Sequence, residues 1–382
     1  MKAIFKIFAA GILLFIVTQG VFAENYPVQP PDSVEEKFRV GYLEGGEFPD
    51  YQIIFLQTLK GLMELGWIEP VKFPEEYMPD HASMWQWVTE NVKSDYIEFV
   101  PDAFYSSGFD EDRRKQTREK LLKRLQEKGD IDLILAMGTW AGQDLANDMH
   151  SVPSVVCSTS DPIGSGIIPS ADNSGYDHLH AKVEPDRYMR QVRLFHDIIG
   201  FDSLGLVHED SADGRTYAAV ADVERVARER GFELKTCHAM TSGVTREQAE
   251  AEVLACYQEL APQVQALYMT VHRGENLDNL PNLLRPLLDN QVASFAMAGS
   301  EFVRHGVLLS IAHAGFSYVG MFHAETVARI FNGALPGELE QVWNAPPKIA
   351  INLETAEKIG FNPPFDVLAA ADDIYEVIHP VE

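Results

Sequence analysis

Residues 132–166 read "DLILAMGTWAGQDLANDMHSVPSVVCSTSDPIGSG", two short apolar runs that each stop at small polar residues. Leu133 to Met137 runs into Gly138-Thr139, and Ser154 to Cys157 runs into Ser158-Thr159-Ser160-Asp161. Apolar runs this short and continuous read as buried strands, and the segment 140–149 between them reads as a helix. Strand, helix, strand is the unit of a doubly wound sheet, in which ligands gather at the carboxyl ends of the strands. The hydroxyls and the glycine at these two ends are therefore either a ligand-receiving edge or ordinary caps and turns.

The same alternation extends in both directions. FRVGYL (38–43) is a strand, EGGEFPDY a loop, and 51–65 a helix ended by Gly66. Residues 95–100 are a strand and 111–129 a charged helix whose charges read as a solvated face. Downstream, helices over 185–199, 214–230, 245–260 and 277–289 precede strands over 203–208, 232–237, 266–271 and 292–297, and 306–313 leads into a helix over 315–333. There are too many strands for one ordinary sheet, and the unit repeats on either side of about residue 165. The expected fold class is α/β, with two doubly wound parallel-sheet lobes. The irregular segment 67–94 carries Trp67, Trp85 and Trp87, either a tryptophan-lined lid or a local satellite core.

The chain has 382 residues and a formal charge of −26. It opens MKAIFKIFAAGILLFIVTQGVFA, a charged, apolar, small-residue order that reads as a secretory signal peptide over 1–23, cleaved after Ala23. Its apolar core is short for a membrane anchor. Loss of Lys2 and Lys6 takes the charge from −26 to −28, a surface that repels nucleic acid. Residues 24–36 are proline-rich and polar and read as an N-terminal tether. Cys157, Cys237 and Cys256 are too few and scattered for a disulfide framework or zinc site. Buried free thiols are expected, with a Cys237–Cys256 bridge as the alternative. No phosphate loop, nucleophile elbow, HExxH or CxxC is present, and no cofactor is expected. His178 and His180 form an HxH pattern with no placed third ligand, which does not make a metal site.

Three blocks together carry a resemblance. "DIDLILAMGTWAGQDLAN" with "VPSVVCSTSDPIGSGII", "GFSYVGMFHAETVARIFNGALPGELE" and "PPKIAINLETAEKIGF" resemble ABC-transporter substrate-binding proteins of the tryptophan/tyrosine-binding type. "RVGYLEGGEFPDYQIIFLQTLKGLMELGW" fits the first strand, ligand loop and helix more loosely, so the likeness spans most of 38–361. It implies a type I periplasmic-binding fold joined by a hinge of crossing strands. Lobe 1 is expected over 37–161 and 312–345, and lobe 2 over 162–311 and 346–382.

The resemblance places Gly138, Thr139 and Trp140 at the mouth of a cleft, Gly138 allowing close backbone approach and Thr139 donating beside a helix N-terminus. Ser160 and Asp161 line the same mouth, with Asp161 able to hold an amino group. Glu44, Phe48 and Tyr51 come from the first loop. The second lobe is expected to add Asn173, Tyr176, His208, Arg215, Thr270, His272 and Arg273. Here the chain departs from the family: an Asn-Ser pair and an Asp are replaced by Gly214-Arg215 and His272-Arg273. Either arginine can clamp a carboxylate or phosphate, or lie on the surface. The resemblance implies a monomeric periplasmic receptor, not an enzyme, that delivers a small amino-acid-like or other carboxylate ligand to an ABC permease in the inner membrane. The alternatives are a sensor feeding a membrane signalling partner and an exported two-domain enzyme.

Overall fold

A computed structural model of the protein describes residues 26–74, 78, 80–313, 316–344 and 347–381. The expected signal peptide lies outside the described residues. The first sheet contains β1 (Phe38–Glu44), β2 (Ile97–Ser106), β3 (Leu133–Met137), β4 (Ser154–Cys157) and β5 (Leu179–Ala181), all parallel, in the order β2-β1-β3-β4-β5. The second contains β6 (Ser203–His208), β7 (Glu233–His238), β8 (Ala266–Met269), β9 (Ala293–Ala296), β10 (Leu309–His313), β11 (Pro347–Asn352) and β12 (Asp373–Tyr375). Its order is β12-β11-β10-β9-β8-β6-β7, with β10 and β11 antiparallel. The fold is two α/β lobes of the type I periplasmic-binding class.

Both faces of each sheet are covered, which is why the strands read as unbroken apolar runs. Every residue of β3 and β4 is buried. Leu133, Leu135 and Met137 point to helices Pro49–Glu64 and Phe316–Phe331, while Ile134 and Ala136 point to helices Glu111–Glu127 and Gly138–Leu145. Burying a side chain such as Phe55 or Leu59 there contributes roughly 1.5–3 kcal/mol. Helices 49–64 and 316–331 cross at glycines: a Cβ at Gly61 would lie 2.7 Å from Ala324 Cβ, and one at Gly320 would lie 2.5 Å from Gln57 Cβ. In the second lobe, Leu204, Leu206 and Tyr268 face helices Arg187–Ile199 and Val220–Arg230. Val207, Leu267 and Met269 face helices Arg246–Leu260 and Leu280–Asp289. The helix expected over 214–230 is two, Ala212–Tyr217 and Val220–Arg230, separated at Ala219, whose φ is 49°.

The chain passes between lobes after β5, after β10 and before β11. The first passage was expected at 162. It comes some twenty residues later because β5 pairs with β4, through Ser154–Leu179 and Val155–His180, and so belongs to the first sheet. Val183 and Val342 pair in an isolated parallel bridge, with Val183 N–H donating to Gln341 O at 2.7 Å and Trp343 N–H to Val183 O at 2.8 Å. Two passages therefore run side by side through the hinge.

Three further expectations are corrected. Residues 26–30 are not a free tether: Trp67 Nε1 donates to Val28 O at 2.8 Å, and Asn332 Nδ2 to Pro27 O and Gln29 O, clasping the segment to the first lobe. The 67–94 segment is neither lid nor satellite, since Trp67 and Trp85 sit in the main first-lobe core against Phe38, Tyr42, Phe55 and Phe99. Cys237 and Cys256 form a disulfide rather than two thiols; the end of β7 lies beside helix 246–260, with Cα atoms 5.5 Å apart. Cys157 remains a buried free thiol.

Candidate functional site

The carboxyl ends of the two sheets face one another, and the loops leaving them enclose a cleft. From the first lobe, β1 leads to Phe48 and Tyr51, β2 to Phe109, β3 to Thr139 and Trp140, and β4 to Ser158 and Ser160. From the second, β6 leads to Tyr217, β7 to Thr241 and Ser242, and β8 to Val271, His272 and Arg273. The lobes touch across this space. Asp213 accepts from Trp140 Nε1 at 3.2 Å and from Gln143 Nε2 at 2.9 Å, and Gly243 N–H donates to Phe109 O at 3.2 Å. The remaining cavity is about 50 Å³, room for on the order of four waters, so the lobes are closed upon each other.

Gly138 opens helix 138–145 directly after β3, with φ at 82°. A Cβ there would lie 1.9 Å from the Tyr51 hydroxyl, so this position needs glycine on both conformational and steric grounds. No side chain caps this helix, and its first amides lie beside Thr139 and Trp140 at the cleft. No described hydrogen bond has the Thr139 or Ser160 hydroxyl capping a helix; Ser160 instead accepts from Tyr188 OH through its carbonyl, at 3.1 Å. Burial raises the phenol pKa of Tyr51 and Tyr217, reinforced for Tyr217 by Asp213, so both remain donors. Phe109 and Ser158 hold φ near 55° and 58°, left-handed backbone that disfavours side-chain-bearing residues.

In the second lobe, His272 is neutral. Burial draws its pKa down to about 4; Nε2 lies 3.2 Å from Ala239 O while Nδ1 accepts from Gly274 N–H at 3.0 Å. Arg273 is held by the neighbouring loop that follows β7: its amide donates to Thr241 Oγ1 at 3.0 Å and its Nη1 to Thr241 O and Val244 O at 3.1 and 3.0 Å. Its guanidinium lies 5.2 Å from the Phe109 ring centre, and among the described residues no carboxylate forms an ion pair with it. Glu209 braces Thr241 and Ser242, accepting from both amides at 2.8 and 2.9 Å. Burial opposes its charge, yet bonds from Ser211, Ser242 and Thr241 hold its pKa below the ordinary value.

Other expected residues lie off the lining. Glu44 is buried beneath it, bonded to His81 Nδ1 at 2.5 Å, Ser106 Oγ at 2.8 Å and Tyr42 OH at 3.0 Å. Asp161 turns back on its own loop, accepting from Ile163 and Gly164 amides at 3.1 and 2.8 Å. Asn173 and Tyr176 precede β5 and lie at the amino end of the first sheet, opposite the cleft. His208 folds onto Glu209 O, Arg215 pairs with Glu224 at 2.9 Å, and Thr270 is buried with its hydroxyl on Val207 O. His178 and His180 bond the carbonyls of Leu145 and Glu340, and the described residues contain no metal-binding group of three or more. Sequence reading missed Phe109, Tyr217, Thr241 and Ser242. Position after a strand end was the available signal.

The model for the family "ABC transporter substrate binding protein" matches residues 109–375. No curated protein sequence matches. A Streptococcus pneumonia ABC domain solved with L-Trp superposes with a TM-score of 0.67 at 18% identity, covering 89% of this chain and 100% of that one. A conserved domain protein from Vibrio cholerae gives the same values. The open, ligand-free form of a Clostridium difficile substrate binding protein with adhesive properties gives 0.57 at 17% identity, covering 89% and 99%. With two closed α/β lobes around a lined cleft and a family match over most of its length, the chain belongs to the ABC transporter substrate-binding protein family.

Proposed function

We propose that this receptor closes its lobes around a small organic solute carrying a carboxylate, amino-acid-like or otherwise, and hands it unchanged to an ABC permease in the inner membrane. The observation that carries this reading is Arg273, a half-buried cation at the cleft whose guanidinium, among the described residues, hydrogen-bonds through Nη1 only, to the carbonyls of Thr241 and Val244. A carboxylate can meet its Nε and Nη2 while the walls from the other lobe supply apolar and hydroxyl contacts. The cross-lobe bonds to Asp213 form only when the lobes meet, so a solute touching both walls shifts the open–closed balance toward the form a permease would read. The Cys237–Cys256 disulfide and the leader-like residues 1–23 support export to an oxidising periplasm.

Native mass spectrometry of protein purified from the periplasm, followed by thermal-shift titration, tests the reading. A stoichiometric small anion at one hundred times its Kd should add about 2.7 kcal/mol of stability. Thr139→Ala and Arg273→Gln should each weaken that effect. Protein that carries nothing and responds to no amino acid, organic acid, purine or sugar would overturn the proposal.

A further inference from the structure

Arg273 stands on a long loop, residues 270–279, between β8 and helix 280–289. A loop of that length holds a side chain in one place only where something fixes it from below. Glu275 does so from the interior, where it is 5% exposed. Its Oε2 accepts from the Thr270 amide at 2.5 Å and its Oε1 from the Tyr257 hydroxyl at 2.8 Å, while its own amide donates to His272 O at 3.0 Å. One carboxyl thereby ties the end of β8, and the turn bearing Arg273, to helix 246–260, on which Tyr257 is fully buried.

The same helix carries the rest of the seat. Gly274 is pressed against it so closely that a Cβ would clash with the Ala249 carbonyl. Asn279 Nδ2 donates to Gly274 O at 3.0 Å, and Asn276 Nδ2 to Arg273 O and Glu250 Oε1, both at 2.8 Å. The loop after β7, whose Thr241 and Val244 carbonyls take the guanidinium, runs directly into this helix at Thr245. The Glu275 side chain bonds no residue of the cleft lining, so any effect it has on a solute passes through the loop. Burial pushes its carboxyl up to about 8, against the bonds from Tyr257 and Thr270, and the neutral form dominates at neutral pH.

Resting on the receptor reading, we propose that Glu275 is the positioning residue for Arg273: through Thr270 and Tyr257 it fixes the β8 loop so that the free edge of the guanidinium is held toward the cleft. Without those two bonds a buried amide and a buried hydroxyl lose their partner, the turn 272–275 loosens, and Nη1 slips from its two carbonyls. A glutamine in its place has the same shape, with an oxygen for the Thr270 amide and an NH₂ for the Tyr257 oxygen, so it keeps both bonds.

Phenylglyoxal labelling of the full mature protein, read by peptide mass spectrometry, measures how often the Arg273 guanidinium leaves its seat. Arg228, exposed in the last turn of helix 220–230, is the internal reference. The Arg273-to-Arg228 labelling ratio should rise roughly five-fold in Glu275→Ala, and roughly two-fold in Tyr257→Phe, which loses one of the two bonds. Tyr257→Phe removes a single oxygen and keeps the comparison open if Glu275→Ala does not fold. Glu275→Gln should restore the wild-type ratio. Leu62→Ala, a core change in the first lobe, lowers the melting temperature without touching this loop and should leave the ratio unchanged. A ratio indifferent to both loop variants, a rise of the same size in Leu62→Ala, or a glutamine variant as reactive as the alanine one would overturn the inference. No solute enters the measurement, so any of those results leaves the receptor reading standing, and failure of that reading shows instead as a protein that binds no solute while its Arg273 stays seated.

Discussion

Gly138→Ala should destabilise the protein through two separable effects. The first is backbone: φ is 82°, and an L side chain in left-handed territory costs about 1–2 kcal/mol. The second is steric: the new Cβ would lie 1.9 Å from Tyr51 Oη and 2.5 Å from its Cζ, and forcing atoms into a packed site costs about 1–3 kcal/mol. Together they predict a loss of about 2–5 kcal/mol. Gly129→Ala isolates the first effect, because its φ is 57° and no atom lies within 4 Å of the added Cβ. Tyr51→Ala/Gly138→Ala isolates the second, because removing the ring removes the clash. Urea unfolding of wild type, both glycine variants, Tyr51→Ala and the double variant gives every comparison. The expected coupling between positions 51 and 138 is about 1–3 kcal/mol, the double variant being more stable than the sum of its parts. Additive losses, or a Gly138→Ala loss no larger than that of Gly129→Ala, would refute the claim that Tyr51 fixes this glycine.

Replacing Cys237 and Cys256 by serine removes a link between residues 19 apart and should cost about 3 kcal/mol, read as a lower calorimetric Tm matched by adding reductant to wild type. Equal melting with and without reductant would show that the link carries no stability. Asp213→Ala removes the bonds to Trp140 and Gln143 and should weaken closure by about 1–3 kcal/mol; small-angle scattering should show a larger radius of gyration, and superimposable curves would contradict it. Lys182 is buried, its ammonium 4.9 Å from the Trp343 ring centre, and burial lowers its pKa from 10.5 to about 8. The folded group loses its proton first, so between about pH 8 and 10.5 the unfolded chain holds more protons and stability rises with pH. Lys182→Met should abolish that rise and add about 3 kcal/mol at pH 7; an unchanged pH–stability curve would argue that the site is wetter than its burial implies.

The two-lobe fold was legible because parallel strands covered on both faces leave unmistakable runs, as at 133–137 and 203–208. The cleft was legible only in part. Thr139, Ser158 and Ser160 stood out as polar ends of such runs and the resemblance added Trp140, but Phe109 was hidden. Strand β2 reads as ending at Val100, before Pro101, yet it continues to Ser106 through a register shift opposite Val40 and Tyr42. Asn173 and Tyr176 were assigned to the wrong lobe for a related reason. Strand β5 is three residues long with a histidine at its centre, too short and too polar to show as a strand. Glu44 and Asp161 looked like ligand carboxylates because a sequence does not show which donors will already surround them, side chains for Glu44 and the amides of its own turn for Asp161.

Helix 316–331, laid across Gly61 and packed into the first-lobe core, sets a timetable for synthesis. During translation, residues 38–181 emerge long before the helix that must cover their sheet. Until then the apolar surface that will meet Val319, Ala324 and Val327 has no cover. The second sheet is interrupted in turn, since β11 and β12 arrive only after that helix. The lobes therefore cannot mature one after the other as the chain leaves the ribosome. Their final assembly must wait for the last quarter of the chain, which favours a slow, high-contact-order route.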